Sequence, residues 1–118
     1  MAKSSDAGSS TQFTPLADEQ ALESLFTLSG SQPVIIFKHS STCPISAAAH
    51  REMSRVAADV SLVVVQRARE LSLRVAEQTG IRHESPQAII LRNGQAVWSA
   101  SHFDITAEAV AQAVRENA

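Results

Sequence analysis

Cysteine is nearly absent from this sequence: Cys43 stands alone among 118 residues. One thiol cannot close an internal disulfide, which excludes the disulfide-framework class of small secreted domains and fits a reducing compartment. Tyrosine is missing altogether, and the remaining aromatics are Phe13, Phe26, Phe37, Phe103 and Trp98. With a net charge of -2 there is no basic field either. A nucleic-acid interface, which needs cationic surface and stacking rings, is therefore not expected. No stretch approaches the ~18 apolar residues of a membrane helix. The first eleven residues, rich in serine and glycine, hold no apolar segment of the kind a secretory leader requires. The expectation is a cytoplasmic protein that engages neither membrane nor nucleic acid.

What is present suits a folded domain. The hydrophobic fraction of 44% is that of an ordinary globular chain. Residues 1–11 lack periodicity, so a disordered tail is expected over 1–12 and one domain over 13–118. Phe13-Thr14-Pro15 reads as a short edge strand. Leu22, Leu25 and Phe26 recur at helical spacing between Asp18 and Ser29, with Gly30 as the stop. Val34-Ile35-Ile36-Phe37 is apolar without alternation, as strands buried on both faces are. A helix is expected from Pro44 to Asp59 on the spacing of Ile45, Ala49, Met53 and Val56, and a second buried strand at Leu62-Val63-Val64-Val65. Ala68, Leu71 and Val75 mark a third helix closed by Gly80. Ala88-Ile89-Ile90-Leu91 and Gln95-Ala96-Val97-Trp98 flank Asn93-Gly94, a strong hairpin signal. A last helix runs from Thr106 to Asn117. A βαβ unit, a further helix, then a ββα unit is the thioredoxin-like arrangement: an α/β fold with a central mixed sheet of four or five strands flanked by helices.

Cys43 falls between the first buried strand and the helix that Pro44 opens. Helix N-termini carry unpaired N–H groups and partial positive charge, which favour thiolate over thiol. The thiolate is the nucleophile in disulfide exchange. The other reading is a buried, inert cysteine, against which stand the polar neighbours Ser40, Ser41, Thr42 and Ser46. Ser46 occupies the position at which a Cys-x-x-Cys pair has its resolving thiol; it is equally readable as an ordinary polar residue of a first turn. Whatever its role, no second thiol exists, so any exchange follows a monothiol route. Pro86, after Ser85 and before a strand, is a candidate cis proline facing Cys43, or a plain loop proline.

The four histidines, His39, His50, His83 and His102, show no metal-ligand spacing, and no bound metal is expected. Lys38 and His39 are candidates for tuning the thiolate or binding the small thiol, with loop solvation the alternative for His39. Lys38, Arg67, Arg69 and Arg82 sit near element ends, where a solvated charged rim is the default. Near the Pro86 loop, Arg82 and His83 are candidates for holding the carboxylates of a small thiol.

Three separated segments resemble one family. Phe37-Lys38-His39-Ser40-Ser41-Thr42-Cys43-Pro44-Ile45-Ser46, His83-Glu84-Ser85-Pro86-Gln87-Ala88 and Ser101-His102-Phe103-Asp104-Ile105-Thr106 are similar, in order, to those of YtxJ-type monothiol bacilliredoxins. Phe103 departs from the tryptophan expected there. The resemblance, running from about Ala17 onward, implies a thioredoxin-like oxidoreductase that removes bacillithiol from S-thiolated proteins. Cys43 would be the attacking thiol, with Thr42, Pro44 and Pro86 shaping its site. The partners implied are S-thiolated proteins and a low-molecular-weight thiol, with no tightly bound cofactor. A glutathione-type monothiol glutaredoxin, a 1-Cys peroxide reductase and a non-enzymatic adaptor or redox-sensing module are the competing readings.

Overall fold

The computed structural model describes residues 11–118, so the expected tail over 1–10 lies outside the described residues. Its sheet has five strands: β1 (Gln12–Pro15), β2 (Val34–His39), β3 (Asp59–Val64), β4 (Gln87–Arg92) and β5 (Gln95–Ser101). Four helices join them: α1 (Glu19–Leu28), α2 (Pro44–Met53), α3 (Arg69–Thr79) and α4 (Ala107–Glu116). The strand order is β1-β3-β2-β4-β5, with β3 parallel to β1 and β2, and β4 antiparallel to β2 and β5. Strand β1 begins at Gln12, one residue inside the stretch expected as tail, because its register with β3 starts at Gln12 opposite Asp59.

Successive residues of a strand face opposite sides of its sheet, and β2 uses both. Ile35 and Phe37 belong to a core with Ala49 and Met53 of α2 and Val110 of α4. Val34 and Ile36 belong to a second core with Leu22 of α1 and Leu71 and Val75 of α3. Burial on both faces explains the unbroken apolar run of β2. Asn93 and Gly94 turn the β4–β5 hairpin with φ of 56° and 75°, and Gly80 closes α3 with φ of 74°. Asp18 and Thr106 cap α1 and α4 through their side chains.

Two boundaries differ from the sequence reading. Helix α2 stops at Met53, six residues before Asp59: Arg55 and Val56 donate their N–H to Glu52 and Met53 in tight turns. Val56 remains buried, so apolar spacing continues after the helix has ended. Strand β3 starts three residues earlier than Leu62, at Asp59, where it gains its partner β1. A single turn of 3-10 helix at His102–Asp104, not foreseen, links β5 to α4.

Candidate active site around Cys43

Cys43 is the N-cap residue of α2, in extended conformation, with Pro44 as the first helical residue. Its thiol is half-buried and unpaired. Proline suits that position because an N–H there has no intrahelical partner to lose. The backbone N–H groups of Ser46 and Ile45 and the Ser46 hydroxyl, at the start of the helix, hold the Cys43 thiol below its ordinary range. The Ser46 N–H contributes most. Local desolvation opposes the shift without reversing it. A shift in that direction favours the thiolate, the nucleophilic form.

Ser46 is more than a polar residue of a first turn. Its side chain is wholly buried, and its Oγ accepts the Ser40 N–H at 3.1 Å. The same hydroxyl thus ties the start of the Cys43 loop to the helix. Gln66, which sequence reasoning missed, secures the rest of that loop. Its Nε2 donates to Ser40 Oγ at 2.6 Å and to Thr42 Oγ1 at 3.2 Å, and its Oε1 accepts the Ser41 N–H at 3.2 Å. A side chain from beyond β3 holds three consecutive residues before the nucleophile.

The Ser85–Pro86 peptide is cis. Gln87 pairs with Lys38 in the β2–β4 ladder, so Pro86 follows at the His39 end of β2, the end from which the Cys43 loop departs. The Pro86 carbonyl accepts the His102 N–H at 3.1 Å, and Ser85 Oγ is buried without a partner in the protein.

Lys38 overturns the expectation of a solvated rim. It is wholly buried, because the alternation of β2 puts residue 38 on the same side as Val34 and Ile36, beneath α3. Its Nζ reaches His83 Nδ1 at 3.0 Å and the Ser72 carbonyl at 3.5 Å. Burial lowers the Lys38 ammonium to about 8. The His83 imidazole is also shifted down, by burial and then by the adjacent Lys38 charge. Lys38 donating to Nδ1 places the imidazole proton on Nε2. Arg82 is exposed, and its carbonyl accepts from Gln87 Nε2 at 2.9 Å.

His39 faces the other side. Its ring stacks on Phe37 with centroids 5.4 Å apart and lies 5.4 Å from His50, which stacks on Phe13 at 4.6 Å. Two histidines eleven positions apart in sequence thus meet where β2 ends against α2. The His39 pKa is lowered by burial and by the His50 charge. The groups bonded to the Cys43 sulfur do not include it. Among the described residues no cluster of three or more metal-ligating side chains occurs, and no helix is long and apolar enough to cross a membrane.

One thiol at a helix N-terminus, a serine in the resolving position and a cis proline at the adjoining strand form a monothiol version of a redox site. The family model for monothiol bacilliredoxin BrxC matches residues 14–110. This chain belongs to the monothiol bacilliredoxin family. A solved structure described as a candidate oxidoreductase with a thioredoxin fold is 35% identical, with a TM-score of 0.79, over 86% of this bacilliredoxin and 92% of that chain. Fasciola hepatica thioredoxin is 13% identical with a TM-score of 0.70, over 89% of this chain and 99% of its own. The Schistosoma mansoni thioredoxin pre-protein is 15% identical with a TM-score of 0.67, over 91% and 99%. These last two establish the thioredoxin fold alone. Family and fold are those of thiol oxidoreductases.

Proposed function

We propose that the protein removes a low-molecular-weight thiol, bacillithiol in the first instance, from S-thiolated cysteines of other proteins. The carrying observation is the free Cys43 at the N-cap of α2, followed by Pro44 and with Ser46 in the resolving position. The Cys43 thiolate attacks the small-thiol sulfur of a protein mixed disulfide. That S–S bond breaks, the substrate cysteine leaves as thiolate and takes up a proton, and a new S–S bond joins Cys43 to the small thiol. No second cysteine is available to displace it. A second small-thiol molecule, as thiolate, attacks the bound small-thiol sulfur, which releases a symmetrical small-thiol disulfide and returns Cys43 to its reduced state. Over the cycle one free small thiol and one protein mixed disulfide become a protein thiol and a small-thiol disulfide, so the number of S–S bonds is unchanged.

Thr42, Pro44, Ser46, Ser85 and Pro86 shape the site in this reading. In this reading a bound chain would pair with the backbone just before Pro86. The cytoplasm, where disulfides are transient, is the compartment the single thiol suits. The reaction is tested by incubating the protein with a bacillithiolated substrate and weighing both partners. A gain of one bacillithiol on Cys43 and a matching loss from the substrate are expected. An unmodified Cys43 beside a fully thiolated substrate would sink the reading.

A further inference from the structure

Beside the Cys43 loop lies an open cleft of about 600 Å³ between the start of α3 and the segment leading to the cis proline. Gln66 stands at its edge and, through Ser40 and Thr42, joins it to the nucleophile loop. Its other polar lining is Arg69, Ser72 and His83, with no carboxylate among the lining residues.

Two groups of the lining, and one behind it, stand uncompensated. The Ser72 hydroxyl is buried, on a residue 2% exposed, and has no hydrogen-bond partner in the protein. Buried hydroxyls are nearly always satisfied, so an orphan at a cleft wall marks a place for an incoming acceptor. The Arg69 guanidinium forms no ion pair among the described residues. Behind Ser72 and His83, the Lys38 ammonium is out of contact with water and bonded only to neutral acceptors, an imidazole nitrogen and a carbonyl. A buried cation without an anion is a costly arrangement. Glu84, next to His83 in sequence, lies 3.4 Å from His102 Nδ1.

We propose that this cleft is a carboxylate-binding subsite: the Arg69 guanidinium, the Ser72 hydroxyl and the His83 Nε2–H, backed by the Lys38 ammonium, hold the acidic portion of a small anionic thiol. The sulfur of that thiol then reaches Cys43 across the Gln66-braced loop. The subsite deepens the reading of the preceding section, on which it rests, by selecting among small thiols for those bearing carboxylates. Arg69 supplies the exposed, steering charge, Ser72 the buried donor, and Lys38 a fixed positive field. These are positioning and binding groups, and none touches the reacting sulfur atoms.

Two measurements on the full chain separate this subsite from the exchange chemistry. The first compares transfer from one peptide carrying either mercaptosuccinate, a dicarboxylate thiol, or mercaptoethanol, which is uncharged. A higher kcat/KM is expected for the mercaptosuccinate disulfide, and Arg69→Gln is expected to cut that preference by about tenfold, through KM. Ser72→Ala should reduce it by a smaller factor. Equal rates with both disulfides, or a preference unmoved by Arg69→Gln, would overturn the subsite. The second is a titration with succinate followed by amide chemical shifts, where saturable changes at Arg69, Ser72 and His83, lost in Arg69→Gln, are expected. If neither disulfide is exchanged, the Cys43 chemistry fails, and the succinate titration alone decides the subsite: absence of saturable shifts refutes it.

Discussion

Replacing Lys38 by methionine should change how stability depends on pH more than it changes stability itself. Lys38 is wholly buried, and its ammonium falls from 10.5 to about 8 on folding because burial disfavours the charged form. Between those two values the unfolded chain holds a proton that the folded chain has released, so stability rises with pH through that window. Below about 8 both states are protonated and the full cost of the buried cation is present. The fall corresponds to about 3 kcal/mol; water in the neighbouring cleft screens part of it, leaving about 2 kcal/mol. Methionine keeps an unbranched chain of similar size and removes the charge, but it leaves His83 Nδ1 without its donor at 3.0 Å, costing about 1–2 kcal/mol. Near neutral pH the two effects nearly cancel, and Lys38→Met should lie within about 1 kcal/mol of the parent. By about pH 10 the parent should have gained about 2 kcal/mol over the variant. Urea unfolding of both chains at neutral and alkaline pH measures this, since every other titrating group is common to the two and drops out of the difference. Parallel stability curves across the alkaline range would show that Lys38 is not desolvated and refute the reasoning.

Ser46→Ala removes the hydroxyl that helps to lower the Cys43 thiol; the thiol pKa, followed by ultraviolet thiolate absorbance, should rise, with most exchange activity retained because the Ser46 and Ile45 N–H groups, which lower it more, remain. Cys43→Ser should abolish exchange completely, as read by mass spectrometry of the mixed disulfide. Gln66→Ala frees Ser40, Ser41 and Thr42 together; since these bonds are exposed, thermal stability should drop by less than about 1 kcal/mol while the exchange rate falls several-fold. Ser29→Ala should destabilise by about 1–2 kcal/mol in urea titration, because the Ser29 side chain is buried and its Oγ accepts the Gly94 N–H of the β4–β5 turn at 2.9 Å.

How far the site was legible depends on the kind of signal each residue leaves. Cys43, Pro44 and Pro86 are placed by local chemistry, a helix start and a strand start, and both are visible in a few adjacent residues. The hairpin was equally legible because Asn93 and Gly94 are the residues that tolerate positive φ. Lys38 was misread because its charge was weighed and its register was not. Continuing the alternation of Val34 and Ile36 by one step puts position 38 under α3. Gln66 left no trace, since its bonds to Ser40, Ser41 and Thr42 span 24 to 26 residues and glutamine in a loop carries no period. His39 and His50 were set apart by their separation in sequence, yet a strand end packed on a helix face brings their rings to 5.4 Å. The end of α2 escaped because Val56 keeps the apolar spacing after the hydrogen bonds have become turns.

The serine in the resolving position follows from the same geometry. A second cysteine there would donate weakly to sulfur and accept weakly from an amide. The Ser46 hydroxyl accepts the Ser40 N–H at 3.1 Å from a wholly buried position, and it lowers the Cys43 thiol less than the Ser46 and Ile45 N–H groups do. In a dithiol enzyme residue 46 would need to be free to attack residue 43. Here it is a fixed strut between loop and helix, and release of the bound thiol falls to a molecule from solution. A carboxylate-holding cleft next to that loop then has a clear purpose, because an enzyme without its own resolving thiol depends on recognising the small thiol it carries. A carboxylate in the proposed subsite would give Lys38, bonded only to neutral acceptors, a counter-charge and Ser72 a partner for its hydroxyl. The absence of a resolving cysteine and the presence of that uncompensated charge are two sides of one monothiol design.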